Sequence, residues 1–568
     1  MKGDYSRDTF DSSKHYTRVL MQQGRVQMDA DWNEQGSIWL HHLRTLAVDL
    51  IGQHGGPADN LGFEITTQVR SGEKSLGIGF GRYYVDGILC ENEEARRIEG
   101  IELRLARSLL DYFNQPDYPL IDPASSPDDR LSPDPFFVYL DVWERHITYL
   151  EDDSIREVAL GGPDTAARTK TVWQVKVKPL VALADLSQVK VEQITCDSPP
   201  LVEVMRNLKN LVQPANRGRM AARAQVPEDT DDTNVCIVSP EATYRGAENQ
   251  LYRVEIHNGG KPWDGKSDKT DAATFKWSRD AVAFPIQSLS GKTVMLENLG
   301  RDDRFDLEVG DWVEVADDNY VLLGKAEPLL RVEAIDRIDM QVTLSGAPKY
   351  GDDPNKHPLL RRWDQQPGDP AIGGLDFVSD GAAVVLGNDT AWLNLEDGIQ
   401  IQFRSGAEYR TGDYWLIPAR TVTGDIEWPS TAEGPLALPP RGIDHHLAPL
   451  AVVDPEAGQV TDLRHSIAPI GSCCPKIEVL NPPLWMNTAL TGSAPIRFTA
   501  RVNRRTTNLK YRWSVTGGRI SGADNRAFID VSPDGRSAAV IAVVAVEGLP
   551  GDCPSSAMGA CAIVKQPA

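Results

Sequence analysis

Most of the chain alternates between apolar and polar residues with a period of two, which is the pattern of strands in antiparallel sheets. Turn residues separate the alternating segments, as at Gly310-Asp311 and Asp317-Asp318-Asn319. The pattern predicts a mainly β chain made of multi-domain antiparallel sandwiches. The clearest predicted strands are Phe137–Trp143, Val172–Val177, Leu251–Ile256, Val294–Leu296, Trp312–Val315, Leu330–Glu333 and Gln341–Leu344.

Two segments instead have the spacing of helices. The first is predicted to begin at Asp31, because Asp31 and Glu34 have the spacing of a capping box. It is predicted to end at Gly52, and its apolar residues recur at intervals of four, three and four. This apolar stripe consists of Trp39, Leu43, Leu46 and Leu50. The second predicted helix, Leu201–Leu211, carries Val204, Leu208 and Leu211 on one face.

Closely spaced strands give two further predictions. Between Thr293 and Ala347 they predict a small closed barrel of about 55 residues. Beyond residue 476 they predict a C-terminal immunoglobulin-like sandwich with Trp513 in its core. The strands predicted for this sandwich are Ile477–Val479, Ile496–Ala500, Tyr511–Val515 and Ala538–Val546.

Two linkers, Gln213–Thr233 and Ile467–Pro475, indicate domain boundaries. The first contains Pro, Arg, Gly and an acidic run, and is predicted to be an exposed crossing. The predicted organisation is an N-terminal arm and amphipathic helix (1–60), a β-rich domain (61–225), a β hairpin or sandwich segment (226–290), a small barrel-like domain (291–350), a second β-rich domain (351–470) and the C-terminal sandwich (476–568).

The composition is that of globular domains, with 41% hydrophobic and 25% charged residues among 568. A formal net charge of −22 argues against binding to nucleic acid or anionic membranes, which attract basic surfaces. The N-terminus lacks the continuous apolar segment of a secretory signal. The longest apolar run, Ala538–Val546, is too short to span a bilayer. We therefore expect assembly in the cytoplasm and no transmembrane segment.

Seven cysteines are too few for a disulfide scaffold. The vicinal pair Cys473-Cys474 and the C-terminal Cys553 and Cys561 leave two interpretations open. One is a disulfide bridge or metal site that joins the two pairs. The other is a set of ordinary buried thiols, because free cysteine commonly behaves as a small apolar residue.

One segment matches a catalytic motif formally. Residues Gly260–Ser267 satisfy the pattern of a phosphate-binding P-loop, but the polar stretch after them leads into a strand near Thr274 instead of a helix. We therefore predict a Gly-rich hairpin loop. His445-His446 have no further ligand at metal-binding spacing and are predicted to be structural. No catalytic residue, metal ligand or cofactor is predicted.

The first 35 residues carry the most specific signal in the chain. They contain MKGDYSRDTF, KHY, VLMQQGRV and DADWNEQ, within Met1–Gln35. These segments resemble a family of uncharacterised proteins encoded in contractile injection system and phage-tail-like gene clusters. The resemblance covers residues 1 to about 465. It continues in Gly81–Gly87, Leu140–Arg145, Tyr244–His257, Phe275–Asp280 and Tyr409–Thr421.

A second resemblance concerns the C-terminal domain. The segment Tyr511–Gly518 looks like part of a polycystic-kidney-disease-type immunoglobulin-like repeat. In that repeat, a Trp at the position of Trp513 packs in the core of the sandwich.

The first resemblance implies a non-enzymatic structural component of a contractile phage-tail-like injection particle, at the baseplate or its peripheral extension. Its arm and helix, Lys2–Leu50, would dock onto other baseplate, sheath or tube subunits of an oligomeric particle, which is released or membrane-docked after assembly. Aromatic side chains would enter pockets of the partner, and basic ones would pair with its acids. The predicted partner-binding residues are Tyr5, Arg7, Phe10, His15, Tyr16, Arg18, Arg25 and Trp32.

Two alternatives stay open. The first is a receptor-binding, fibre-like protein whose C-terminal domain recognises a cell-surface glycan or protein. The second is a particle-borne enzyme acting on polysaccharide, which would need two carboxylates that converge in an aromatic cleft.

Overall fold

In a computed structural model, the chain forms two compact units, Met1–Ile467 and Ala468–Ala568. Most regular elements in the described part of the chain are strands, and most of their pairings are antiparallel, which confirms the predicted mainly β class. None of the helices in the described ranges is long and apolar enough to cross a membrane. The structure describes residues 7–70, 73–93, 109–119, 131–161, 164–185, 191–196, 198–225, 243–279, 282–299, 306–467, 477–480, 485–487, 495–502, 509–534, 536–537, 539–548 and 555–564.

The first unit is organised around one long strand, Phe136–Ile147. It pairs along its whole length with Arg168–Pro179, and on its other edge with His446–Asp454. Its first eight residues are all buried, because packed elements cover both faces of the sheet. The spatial order of this four-stranded sheet is Gln459–Asp462, His446–Asp454, Phe136–Ile147 and Arg168–Pro179.

Helix α2, Pro199–Val212, covers one face of that sheet. It begins two residues before the predicted Leu201, because the Ser198 hydroxyl caps it by accepting a hydrogen bond from the Leu201 amide and Pro199 is favourable in the first turn. Its buried side chains are Leu201, Val204 and Leu208. Leu211 was predicted on the same face but is 56% exposed, and Val212, four residues after Leu208, packs against the core instead.

A five-stranded sheet and a six-stranded closed barrel form the middle of the unit. The predicted barrel is confirmed, but two of its strands, Ala283–Ser290 and Leu359–Trp363, lie outside the predicted range 291–350. The sheet contains, in order, Ala383–Val384, Thr274–Ser278, Gln250–Ile256, Tyr414–Arg420 and Asp425–Ile426. The barrel contains, in order, Ala283–Ser290, Thr293–Leu296, Gln341–Leu344, Leu330–Asp336, Trp312–Ala316 and Leu359–Trp363.

Smaller sheets surround these elements. One consists of Ser466–Ile467, His54–Pro57, Gly81–Val85 and Ile88–Asn92, and a second of Ile65–Arg70, Glu73–Ile78 and Leu110–Asp111. The others are Leu393–Asn394 with Ile399–Phe403 and Met220–Ala224, and Ser430–Thr431 with Gly434–Pro435. The 3-10 turns include Ser12–Lys14, Tyr112–Asn114, Asp153–Ile155, Val158–Leu160, Leu180–Ala182, Val191–Gln193, Lys269–Asp271, Pro354–Lys356 and Pro370–Ile372.

The N-terminal helix α1 spans Asp29–Ile51, so it begins two residues before the predicted Asp31. Met28 occupies the N-cap, and its side chain makes no capping hydrogen bond. The predicted capping box is therefore wrong: Asp31 already lies within the first turn, and Glu34 instead accepts a hydrogen bond from the Thr9 hydroxyl at 2.7 Å. Asp29 and Asp31 still favour the start electrostatically, because acidic groups stabilise a helix N-terminus.

The predicted exposed crossing at Gln213–Thr233 is wrong over much of its described part. Met220–Ala224 forms a strand, and its first three residues are fully buried. The short side chains of Ala221 and Ala222 explain why the segment lacks a strong apolar signal. Residues 226–233, including the acidic run, lie outside the described residues.

The Gly-rich segment Gly260–Ser267 is a loop between two paired strands, Gln250–Ile256 and Thr274–Ser278, as predicted. The Asp264 carboxylate accepts hydrogen bonds from the Lys266 and Ser267 amides at 2.9 and 2.8 Å. These are the donors that a P-loop would direct at a phosphate. The same hydrogen bonds lower the pKa of Asp264 to about 2.

The C-terminal unit is a sandwich of two four-stranded sheets with one shared core. Trp513 is 4% exposed in this core, and its indole N–H donates to the Arg526 carbonyl at 2.9 Å. The position therefore satisfies both the apolar and the polar part of the side chain. The sheets are Ile477–Leu480, Ile496–Val502, Phe528–Pro533 and Gly518–Ile520, and Trp485–Asn487, Ser556–Val564, Ala539–Glu547 and Lys510–Thr516.

We predict that Trp513→Ala destabilises this unit by about 3–5 kcal/mol, because it removes a buried aromatic ring and leaves a cavity. Urea unfolding of residues 468–568 measures the change. Arg512→Ala, on the same strand with a side chain 78% exposed, is the matched control and should change the free energy of unfolding by about 1 kcal/mol or less. An equal effect of the two substitutions would contradict the buried role of Trp513.

Candidate functional site

The apolar stripe of α1 is exposed. Trp39, Leu43, Leu46 and Leu50 are 61%, 65%, 55% and 54% exposed, and Trp32, one further position along the same stripe, is 78% exposed. Large apolar side chains gathered at this density mark an interaction surface in soluble proteins. The sequence pattern predicted the stripe correctly, but no described part of the chain covers it.

The opposite face of α1 attaches the helix to the body. Ala30 and Ile38 are buried, and Arg44 pairs with Glu144 of the central strand at 2.7 Å. Gly87 lies in the turn between the paired strands Gly81–Val85 and Ile88–Asn92. This turn approaches the helix backbone so closely that a Cβ atom on Gly87 would lie 2.6 Å from the Arg44 carbonyl oxygen. Gly87 also has a φ of +77°, which glycine adopts without strain. These contacts fix the direction in which the apolar stripe points.

The arm before the helix lies along one side of α1. The Thr9 hydroxyl donates to Glu34, and the Val19 amide donates to the Gln35 side chain at 2.8 Å. The ring of Phe10 lies 5.8 Å from that of His41. These contacts leave further apolar side chains of the arm and helix exposed beside the stripe. They are Tyr16, Leu20, Met21, Val26, Met28 and Leu40.

The eight predicted partner-binding residues differ from one another in their exposure. Phe10 is half-buried against its own helix, so part of this side chain is already in contact within the chain. Tyr5 lies outside the described residues. The exposed members are Arg7, His15, Tyr16, Arg18, Arg25 and Trp32. Of these, Trp32 lies on the stripe, and Tyr16 is 57% exposed on the arm.

A second feature is a partly open cavity of about 310 Å³ where the central strand, the five-stranded sheet and the barrel meet. Its walls include Trp143, Tyr414 and Ile443, and its charged lining includes the group Arg253, Glu255, Lys276 and Glu314. Arg253 donates to Glu255 through Nε at 2.8 Å and Nη2 at 2.5 Å. Lys276 donates to Glu314 at 2.5 Å, as does the hydroxyl of Tyr320.

These charges stabilise one another inside the protein. Burial alone would raise the pKa of Glu314, but the Lys276 ammonium outweighs burial and holds this pKa below its usual range. Arg361 is buried beside this group and stacks on the Trp363 ring at 4.4 Å. Burial, followed by the charge of Arg253, lowers the pKa of Arg361. A buried ion pair costs desolvation energy, so each partner depends on the other for compensation.

His257 lies at the edge of this charged cluster and is 1% exposed. Neither ring nitrogen forms a well-aligned hydrogen bond with a described side chain, and its Nε2 lies 3.9 Å from Asp380. Burial, followed by the charge of Lys276, lowers the pKa of His257 to about 3. The ring is therefore neutral at neutral pH. The ion pairs of this cluster orient neighbouring strands and neutralise one another. The carboxylates of Glu255 and Glu314 are each paired with a cationic side chain of the protein.

The histidine pair and the cysteines singled out in the sequence are the remaining candidates for a metal site or a disulfide. His445 and His446 do not converge: their Nδ1 atoms lie 2.7 Å from Asp141 and 2.8 Å from Asp86. No group of three or more metal-binding side chains occurs among the described residues. Cys561 is buried in the C-terminal core, and Cys473, Cys474 and Cys553 lie outside the described residues. The two interpretations of these cysteines therefore stay open.

The comparisons with known proteins give a family but no activity. The chain matches the model of the "Family of unknown function (DUF6519)" over residues 1–195 and 184–481. The matches span most of the chain, so the protein belongs to this family. No curated protein matches it. A solved structure titled "Biofilm associated protein - BSP domain" is 9% identical, covers 76% of this chain and 91% of its own, and has a TM-score of 0.10.

Sequence reasoning missed two features of these sites. It predicted that the arm and helix dock onto a partner, but among the residues of the apolar stripe it named only Trp32 as partner-binding and omitted Trp39, Leu43 and Leu46. It also missed the buried charges, although Arg253, Glu255 and Lys276 occur inside apolar strand segments. A charge in the middle of a buried strand indicates a partner on a neighbouring element.

We predict that Lys276→Met destabilises the first unit by about 3–5 kcal/mol, because it removes the ammonium partner that compensates the buried Glu314 carboxylate. The double variant Lys276→Met/Glu314→Gln should recover much of that loss. A double-mutant cycle in urea measures the coupling. Additive effects of the two substitutions would contradict the coupling.

A second prediction concerns acid. Unfolded His257 takes up a proton below about pH 6.5, whereas folded His257 does so only near pH 3. The free energy of unfolding should therefore fall by about 1.4 kcal/mol per pH unit from this group as the pH drops between these values. The measurement is the wild-type free energy minus that of His257→Asn, from pH 7 to pH 4. A difference that stays constant with pH would contradict the assignment.

Proposed function

We propose that this protein is a non-enzymatic assembly component of a contractile phage-tail-like injection particle, at the baseplate or its peripheral extension. The proposal rests on the sequence resemblance for the kind of particle and on one structural observation for the mode of action. That observation is the exposed apolar stripe of α1, from Trp32 to Leu50. An apolar surface of this kind gains free energy when a partner covers it.

The way in which α1 is mounted supports this role. Its buried face is short, with Ala30 and Ile38, while its larger apolar side chains point outward. A helix that served only the fold would bury its larger apolar face. Here the body holds the helix through small side chains and the Arg44–Glu144 pair, and presents the apolar face to a neighbour.

The arm adds a charged component to the same surface. Arg18 and Arg25 are exposed among the apolar side chains of the arm. Asp8 pairs with Arg441 of the body at 2.5 Å, which ties the start of the arm to the first unit. Exposed arginines beside an apolar patch suit a partner surface that is acidic around an apolar centre.

The two alternatives have weaker support. A receptor-binding role would place recognition in the C-terminal sandwich, whose apolar residues are largely committed to its own core. An enzymatic role would use the charged cavity, where Glu255 and Glu314 are already paired with cations. Docking through the exposed stripe therefore has more support than receptor binding or catalysis.

We predict that a chain beginning at Asp29 folds but is lost from the particle, because it keeps the apolar stripe but lacks the exposed arm residues beside it, such as Tyr16, Arg18 and Arg25, that complete the docking surface. The first unit keeps its sheets and its hydrophobic cores without residues 1–28, so its thermal unfolding should change little. The measurement is the amount of the chain in purified particles by quantitative mass spectrometry, alongside its thermal unfolding in isolation. Retention at the level of the full chain, or particles that never contain this protein, would contradict the proposal.

A further inference from the structure

The spacing of the exposed stripe identifies the kind of surface that covers it. Its positions follow the alternation of four and three residues that is characteristic of coiled-coil seams, with a mean period of 3.5. A seam of this period is complementary to another helix, because each side chain enters a space between four side chains of the partner. The six seam positions are Trp32, Gly36, Trp39, Leu43, Leu46 and Leu50, and the seam is about 27 Å long at 1.5 Å per residue.

Gly36 gives an independent indication of a partner. It lies in the second turn of α1, where glycine disfavours the helix relative to alanine. A Cβ atom built at this position meets no atom within 4 Å, so packing within the described chain does not require a glycine. The missing side chain leaves a gap in the seam between the two exposed indole rings. A partner side chain would fill this gap.

We propose that the partner is the α1 helix of a second copy of this chain, paired antiparallel; this inference rests on the proposed role of the stripe as a docking surface. In an antiparallel coiled coil, each a position of the heptad on one helix faces a d position on the other helix. A two-fold axis near His41 then pairs all six positions, with none left over. The layers are Trp32 with Leu50, Gly36 with Leu46, and Trp39 with Leu43, each formed twice.

The sizes of the facing side chains favour this arrangement over a parallel one. Each indole ring faces a leucine, and Leu46 of one copy enters the gap at Gly36 of the other. A parallel pair in register would place Trp32 against Trp32, and Gly36 against Gly36, which leaves a void between two crowded layers. Close packing without voids is what makes a helix interface stable.

Charge also favours a second copy. Residues 1–28 contain five basic and three acidic side chains, a net charge of +2, so the rest of the chain carries −24 of the total of −22. Val19 of the arm contacts Gln35 beside the seam, so pairing two α1 helices brings the basic arm of one copy towards the other copy, which is acidic overall. Beside the seam, Leu40 faces Leu40 and Gln35 faces Asp49, so no pair of like permanent charges opposes association.

The test is analytical ultracentrifugation of the full chain over a concentration series. We expect a reversible dimer that Leu43→Glu weakens roughly 100-fold or more, because two buried leucines are replaced by charges. Leu211→Glu, an exposed leucine on α2, is the matched control and should leave the dimer unchanged. Because residue 43 is 65% exposed in the single chain, the variant should fold normally, which circular dichroism and thermal unfolding check.

Gly36→Ala supplies a second measurement. It should raise the melting temperature of the dilute monomer, because alanine favours a helix, and weaken the dimer, because the new methyl group occupies the gap for Leu46. A loss of stability in the monomer would overturn the assignment of Gly36 as an open seam position. Unchanged association would overturn the antiparallel layer.

Disulfide trapping distinguishes the orientations. Gly36→Cys protein mixed with Leu46→Cys protein should give a mixed disulfide on oxidation, whereas each alone should give little beyond the wild-type background. Crosslinking of Gly36→Cys with itself would indicate a parallel pair and overturn the proposal. A chain that stays monomeric at 100 μM, or dimerises equally well with Leu43→Glu, would also overturn it. If Leu43→Glu were then still lost from purified particles, the proposed docking function would stand with a different partner.

Discussion

The apolar face of α1 is the constraint on which the rest of the account depends. Burial of apolar surface is the main favourable contribution to folding, yet this helix turns its largest apolar side chains to solvent. Its attachment therefore relies on other contacts: the buried Ala30 and Ile38, the Arg44–Glu144 pair, and the close approach of the backbone at Gly87. These contacts fix the helix firmly enough to hold an exposed seam in one orientation. The cost of that exposure is recovered only when a partner covers the seam.

Inside the first unit, charges occupy positions that apolar residues would normally fill. Glu314 of the barrel meets Lys276 of the five-stranded sheet, and the cavity beside them extends to the central strand. Such an arrangement contributes little net stability, but it strongly penalises any displacement that separates the partners. It therefore holds the barrel and the sheets in a defined arrangement. A rigid body of this kind is a suitable base for a helix that transmits a docking contact to the rest of the chain.

The sequence predicted the regular elements well and their surroundings poorly. The strand pattern identified most of the long strand Phe136–Ile147, which is apolar because both of its faces are buried, and four barrel strands, of which Thr293–Leu296 and Gln341–Leu344 bury alternate side chains. It missed Met220–Ala224, because short alanine side chains carry little apolar signal. It also left out the barrel strands Ala283–Ser290 and Leu359–Trp363, because these pair with each other over a long distance in the sequence. At α1 the periodicity was correct, but the pattern of a helix does not state whether the chain itself or another chain covers the apolar face. The buried ion cluster depends on three distant segments and has no local signature.

Hydroxyl-radical footprinting of Trp32 and Trp39 tests the central claim most directly, because it measures the solvent access of each indole ring. The account predicts rapid oxidation in dilute monomer and strong protection after assembly, either in the concentrated dimer or in the particle. Leu211 and Val422, which are 56% and 94% exposed, serve as internal references outside the seam and should react equally in both states. Equal oxidation of the two tryptophans in monomer and assembly would contradict the claim that α1 is a docking surface. Protection already present in the dilute monomer would contradict it as well.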